Sequence, residues 1–418
     1  MKTLDPSNRA PSLLFLILRY TGAKEVLVMN FSLLTRYLDS LEDEYGIRGL
    51  DCIVMKDHEM VYRHMAGHSD HDLKVPMKGD EFYLLYSCTK VMTMTAMLQL
   101  VEQGKIHLYD PICQYLPEWE YVTVVNDGRF AEDEAMKPVL REGSHYAKNQ
   151  IRVIDCMAMM AGLTYDAGNE AVKALLAEKP EASTREVIAA LAKMPLIYEP
   201  GTRFRYSLGH DVCAALIEVA SGERYSDYLT RHIFAPLGVT DLTCHPTEEQ
   251  KSRFAAMYAQ DPDDGKIKPI PLRYGFNISP NYESGGAALM GSASAYATVS
   301  DALANGGVGA NGVRILKEET VMLFTHSVTT GAALDDFHKL GRLEYGYGLG
   351  VRVKIAKNFG RSPVGEFGWD GAAGAYTAID PFNHVAIFYV QHVMGFGEVY
   401  SVIHPRVRDL VYEGLEKD

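Results

Sequence analysis

The sequence predicts an α+β fold, with an antiparallel sheet assembled from both chain ends and a mainly helical segment inserted between them. Three observations carry this expectation. Strand-like stretches occur early, in GLDCIVMKDHEMVYRHMAG (49–67), and again late, in YGYGLGVRVKIA and GAYTAIDPFNHVAIFYVQHV. Helical periodicity dominates the middle, from Ile151 to about Val239. The 418 residues are 47% hydrophobic and 23% charged, enough to bury a large core. The expected division is an N-terminal extension (1–28), a discontinuous α/β part (29–110 and 340–418) and a mainly helical part (111–339), with the active site between the last two.

Each element follows from its local pattern. In MNFSLLTRYLDSLEDEYGI, Phe31, Leu34, Leu38, Leu41 and Tyr45 fall at helical spacing and predict an amphipathic helix. Two strands then flank the turn-like KDHE. Residues 84–103 read as one helix, closed by Gly104 in a C-cap position. Prolines and aromatics in LYDPICQYLPEW break the pattern, and the charged, aperiodic VVNDGRFAEDEAMKPVLREGSHYAKNQ reads as a long surface excursion. The helical middle is interrupted by EPGTRFRYS. SGGAALMGSASAYATVSDALANGG returns to helix, the late strands follow, and SVIHPRVRDLVYEGLEKD is a final helix.

Composition excludes several function classes. A net charge of −13 argues against nucleic-acid or anionic-membrane partners, which need a basic face. Cys52, Cys88, Cys113, Cys156, Cys213 and Cys244 form no C-x-x-C pair, so buried free thiols are expected rather than disulfides or a zinc site. The apolar core of PSLLFLILRY is too short for a signal segment, and no run reaches the length of a membrane span. A cytoplasmic protein is expected, with no metal or organic cofactor. A second copy of the chain is the one macromolecular partner left open.

Chemistry enters at LLYSCTKVMTMTAMLQLVEQGK (84–105), which holds the one S-x-x-K of the chain, Ser87 and Lys90. At positions i and i+3 of a helix an amine can reach the hydroxyl, and a serine needs a neighbouring base to become a nucleophile. Desolvation can make the lysine such a base. In PLIYEPGTRFRYSLGHD (195–211) a turn at Pro200 and Gly201 delivers Tyr206, a suitable proton shuttle beside a lysine. In EFGWDGAAGAYTAIDP (366–381), Gly368, Gly371 and Gly374 allow the close backbone approach that an oxyanion donor requires.

Seven segments in this order resemble the serine β-lactamase-like, penicillin-recognising proteins, above all class C β-lactamases and family VIII carboxylesterases: YSCTK, IRVIDCMAMMAGL, PLIYEPGTRFRYSLG, FAPLGVTDL, SGGAALMGSASAYA, YGYGLGVRV and FGWDGAAG. The resemblance runs from about Gly49 to the C-terminus and implies the β-lactamase-like fold. It implies Ser87 as the acylated nucleophile, Lys90 and Tyr206 as general base and acid, and the backbone N–H groups of Ser87 and Ala372 as the oxyanion hole. How the base role divides between Lys90 and Tyr206 stays open.

Two departures from the family pattern shape the substrate expectation. The usual Tyr-x-Asn is Tyr206-Ser207-Leu208, which loses an amide donor. The usual Lys-Thr-Gly is Trp369-Asp370-Gly371, which loses the cation and hydroxyl that grip a carboxylate and adds in Asp370 a charge expected to repel one. Trp369, Asp370, Gly371, Leu208 and Tyr165 are the expected pocket residues, and neutral, short-chain esters the expected substrates. The resemblance also implies an alternative, β-lactam or D-alanyl-D-alanine peptide hydrolysis. A catalytically silent binding protein is disfavoured by the intact Ser87, Lys90 and Tyr206.

Rival signals read as ordinary structure. His64, His68 and His71 near Asp70 and Asp72 read as a solvated loop rather than a metal site. Ser69 lacks the strand-to-helix context of a nucleophile elbow, and HEMVY is not H-E-x-x-H. Cys88 and Met92, Met94 and Met97 read as core.

Overall fold

A computed structural model describes residues 29–125, 143–274 and 276–416. The expected extension 1–28 and most of the charged excursion lie outside these residues. The helix α1 (Ser32–Tyr45) buries Leu34, Leu38 and Leu41, as its spacing predicts. β1 (Gly49–Lys56) and β2 (Glu59–Asp70) form a hairpin whose tip, Asp57 and His58, has positive φ at both residues.

The hairpin joins a short β3 (Val75–Pro76) and five late strands: β4 (Tyr345–Tyr347), β5 (Arg352–Lys354), β6 (Phe367–Asp370), β7 (Tyr376–Asp380) and β8 (Val385–Gln391). Among the described residues they make one eight-stranded sheet in the order β4-β5-β6-β7-β8-β1-β2-β3. Every pairing in it is antiparallel. The two chain ends meet at β1 and β8, where Cys52 lies opposite Tyr389 and Ile53 opposite Phe388.

Alternation along β8 sorts the two faces. Val385, Ile387 and Tyr389 pack with α1 and the last helix, α5 (His404–Leu415). Ala386, Phe388 and Val390 face the main core, which holds the central helix α2 (Thr89–Glu102), α3 (Gly209–Ser221) and α4 (Ala293–Ala304). α2 is buried on all sides from Thr89 to Leu100, which explains a helix with apolar residues all round. Met92, Met94 and Met97 are fully buried in it.

Two expectations need correction. Residues 84–103 are not one helix: Tyr83–Leu84 pairs as a strand, Tyr86–Cys88 forms a tight 3₁₀ turn, and α2 begins only at Thr89. His64 and His68 are not in a loop, because both lie on β2, His64 opposite Cys52 of β1 and His68 opposite Pro76 of β3. His64 bonds Asp39 of α1 at 2.7 Å, and Ser69 donates its hydroxyl to the Val75 carbonyl. α4 lies within 111–339 yet packs on the sheet, its Tyr296 ring stacked on Phe388 at 4.5 Å. The division into 29–110 with 340–418 and 111–339 stays a proposal. No helix of the described residues is long and apolar enough to cross a membrane.

Candidate active site

Ser87 sits in the 3₁₀ turn that leads into α2. The residue before it, Tyr86, has φ +44°, a left-handed conformation that costs a bulky residue energy and is held by its surroundings. One of those supports is the Tyr86 hydroxyl, which donates to the Arg273 carbonyl at 3.0 Å. Lys90 follows on the first turn of α2, fully buried. Its Nζ donates to Ser87 Oγ at 3.1 Å and to the Gly286 carbonyl at 2.8 Å. The expected reach holds, although the serine stands on the turn and not on the helix.

Tyr206 arrives from the loop before α3. That loop is pinned on both sides of it, Arg205 N–H to the Met159 carbonyl at 2.9 Å and Leu208 N–H to the Thr164 carbonyl at 3.1 Å. The Tyr206 hydroxyl donates to Ser87 Oγ at 2.7 Å. Lys90 Nζ lies 4.8 Å from the Tyr206 ring centre. Serine, lysine and tyrosine therefore converge on one oxygen, from segments more than a hundred residues apart.

Tyr206 is the middle ring of a stack. Tyr165 lies on one side at 5.4 Å, nearly parallel, and Trp369 on the other at 5.6 Å. Trp369 does more than line a pocket: its indole N–H donates to Tyr206 Oη at 3.2 Å. Tyr206 Oη thus receives a donor from the very position where the family pattern carries lysine. Burial, then the neighbouring Tyr206, pushes the Tyr165 hydroxyl well above its usual range, so it stays protonated at neutral pH.

Asp370 is not exposed to substrate as a free charge. It is buried, paired with Arg342 and with Arg352 at 3.1 Å, with His404 Nδ1 at 3.5 Å. Burial alone would raise its carboxyl, but Arg342, Arg352 and His404 outweigh that and hold it well below the carboxylate range. The expectation that Asp370 repels an anion is corrected: its charge is compensated within the protein. Arg342 also stacks over Trp369, 5.2 Å from the ring.

The turn after β6 approaches the serine closely. A Cβ on Gly371 would lie 2.4 Å from the Leu85 carbonyl oxygen, so only glycine fits beside the turn that carries Ser87. The Tyr400 hydroxyl donates to the carbonyls of Gly371 and Ala372, at 3.1 and 3.0 Å. The Gly371 C=O and the Ala372 N–H share one trans peptide and point in opposite directions. Tyr400 therefore fixes the aim of the Ala372 N–H, the expected oxyanion donor. Nothing local in the sequence pointed to Tyr400, which comes from the segment just before α5.

Leu208 is placed differently from the expectation. It is buried in the main core at the start of α3 and lines a small void with Leu163, Thr164, Leu191 and Pro195. Cys88 is core, as its position beside Ser87 implied, with its thiol 3.7 Å from the Trp369 carbonyl.

A serine hydroxyl held by an amine and a phenol, beside a fixed backbone turn, can form and release an acyl ester. A family model described as Beta-lactamase matches residues 34–411. Protein Rv1367c of Mycobacterium tuberculosis is 28% identical over 357 residues, covering 83% of this chain and 86% of that protein. Esterase EstB of Burkholderia gladioli is 28% identical over 253 residues, 59% of this chain and 58% of EstB. Among solved structures, EstCE1, described as a hydrolase with promiscuous acyltransferase activity, superposes with a TM-score of 0.72 at 22% identity, covering 91% of this chain and 98% of that one. The protein is a serine hydrolase of the β-lactamase-like fold, and the chain belongs to the beta-lactamase family.

Proposed function

We propose that the protein is a carboxylesterase that hydrolyses neutral, short-chain esters through an acyl-enzyme on Ser87. The observation that carries this is the convergence of Lys90 Nζ at 3.1 Å and Tyr206 Oη at 2.7 Å on Ser87 Oγ. Beside them stand an indole and a charge-compensated aspartate where a carboxylate-binding lysine and hydroxyl would be. The likeness to Esterase EstB supports the ester substrate.

Ser87 Oγ attacks the ester carbonyl as its proton passes to the Tyr206–Lys90 pair. The carbonyl electron pair moves onto oxygen, facing the N–H groups of Ser87 and Ala372. Collapse breaks the bond to the alcohol, which leaves with the proton. Water, deprotonated by the same pair, then releases the acid and restores Ser87. Trp369 and Tyr165 flank the reacting tyrosine. Six free cysteines among the described residues support a reducing, cytoplasmic setting as part of this reading.

The test compares p-nitrophenyl butyrate with nitrocefin, for the wild type and Ser87→Ala. Butyrate turnover lost in the variant, with nitrocefin slow in the wild type, is the expected result. Fast nitrocefin turnover would favour the alternative, a β-lactam or D-alanyl-D-alanine peptide hydrolase.

A further inference from the structure

In Trp369-Asp370-Gly371 the aspartate has no part in the acylation chemistry, yet it is buried and ionised. Successive residues of a strand point to opposite faces, so β6 sends Trp369 into the main core beside Tyr206 and Asp370 toward His404 of α5. One side chain touches both. Arg342, three residues before β4, pairs with Asp370 and lays its guanidinium 5.2 Å from the Trp369 ring centre. Its backbone is tied down as well, because its carbonyl accepts the Tyr345 N–H at 3.1 Å.

The indole needs such a wall. The second torsion of an aromatic side chain is broad, so the angle of the ring is set by what it packs against. Tyr206 stacks on Trp369 at 5.6 Å, and Tyr347 meets it edge-on at 5.1 Å. Arg342, its side chain 20% exposed, supplies the contact at the solvent side. The Trp369 N–H reaches Tyr206 Oη at 3.2 Å, the long end of the hydrogen-bond range, where a small tilt weakens it.

An arginine side chain left alone samples many rotamers, and holding it over a ring costs entropy. Asp370 offsets that cost. It is itself fixed by Arg352 at 3.1 Å, and against the pull of burial Arg342 and Arg352 hold it as a carboxylate. We infer that Arg342 is a positioning residue: anchored by Asp370, it holds the Trp369 indole N–H on the Tyr206 hydroxyl. This rests on the reading of Ser87 as nucleophile and Tyr206 as its proton-transfer partner. Among the described residues no hydrogen bond or ion pair joins Arg342 to Ser87, Lys90 or Tyr206, so its effect runs through Trp369. The two departures from Lys-Thr therefore work together: the indole supplies a donor, and the aspartate anchors the arginine that aims it.

The test is a double-mutant cycle read as kcat and KM on p-nitrophenyl butyrate: wild type, Arg342→Met, Trp369→Phe and the double variant, with Arg342→Lys beside them. From the usual strength of a cation over an aromatic face, Arg342→Met lowers kcat roughly two- to fivefold, with KM within about twofold of the wild type. Arg342→Lys keeps a cation that can pair with Asp370 and recovers about half of that loss or more. Trp369→Phe has no indole N–H to aim, so adding Arg342→Met to it leaves kcat within about 1.5-fold.

Equal losses in the two backgrounds overturn the inference, because Arg342 would then act without the indole. A loss confined to KM overturns it too, by making Arg342 a wall of the substrate pocket. So does an unchanged kcat in Arg342→Met, and so does a lysine variant no better than the methionine one. Should Arg342→Met fail to fold, Arg342→Gln takes its place in the cycle. Glutamine can still bond Asp370 but puts no charge over the ring, and the same outcomes decide. Turnover surviving in Ser87→Ala would instead defeat the nucleophile assignment, so the two failures are distinguishable.

Discussion

The Trp369 indole N–H donates to the Tyr206 hydroxyl oxygen at 3.2 Å while the two rings stack at 5.6 Å. One side chain thus both orients the proposed proton-transfer group and feeds it a donor. Trp369→Phe keeps the stacked ring and removes the N–H. A neutral hydrogen bond contributes about 0.5–1.5 kcal/mol, so kcat falls roughly two- to tenfold with KM nearly unchanged. Steady-state kinetics on p-nitrophenyl butyrate check this. A main effect on KM would return Trp369 to the role of a pocket wall.

Tyr400 acts on the other side of the reaction. Its hydroxyl holds the carbonyls of Gly371 and Ala372, and through the shared peptide it aims the Ala372 N–H. Tyr400→Phe leaves packing intact and frees the turn. The expected result is a kcat drop of roughly tenfold, smaller than outright loss of an oxyanion donor. Denaturant unfolding should show a stability change of only about 1 kcal/mol. An unchanged kcat would separate this turn from catalysis.

Gly286 is predicted to tolerate no side chain. A methyl group there meets Lys90 Nζ at 3.0 Å and Asp211 Oδ2 at 3.2 Å, so the amine must move from Ser87. The contacts call for a shift of only a fraction of an ångström, whereas a displacement near 1 Å in a reacting constellation costs about a hundredfold. Gly286→Ala should therefore lose roughly three- to tenfold in kcat while its far-ultraviolet circular dichroism stays that of the wild type. A fully active Gly286→Ala would contradict the assigned position of Lys90.

Stability should respond to pH through Glu218 on α3. Burial, with Glu283 adding to it, pushes this carboxyl up to about 6 from the ordinary 4.5. A raised folded value means that the fold prefers the protonated form. Its contribution is fully present below 4.5 and is lost as pH rises through 6. Glu218→Gln, which can still accept the Tyr225 N–H, should raise the thermal midpoint at about pH 7.5 and leave it unchanged at about pH 4. Equal effects at both pH values would rule the ionisation out.

What was legible in the sequence was local or strongly periodic. Ser87, Lys90 and Tyr206 could be named because each stands in a short box whose order along the chain is informative. The hairpin β1–β2 and the late strands were legible because alternation and the KDHE turn agree. The start of α2 was misplaced because its apolar run continues back through the Tyr83–Leu84 strand, and periodicity cannot separate the two. Leu208 was assigned to the pocket by box position alone, which says nothing of where a side chain points once Thr164 holds its backbone. Asp370 looked repulsive because its compensation by Arg342, Arg352 and His404 is assembled only in three dimensions.

The central claim is a covalent acyl-enzyme on Ser87. Its most direct test is acid quenching of the wild-type protein during p-nitrophenyl butyrate turnover, followed by peptide mass mapping. One butyryl group on the peptide bearing Ser87, absent from Ser87→Ala, is the predicted result. A butyryl group on another residue, or undiminished turnover by Ser87→Ala, would contradict the account.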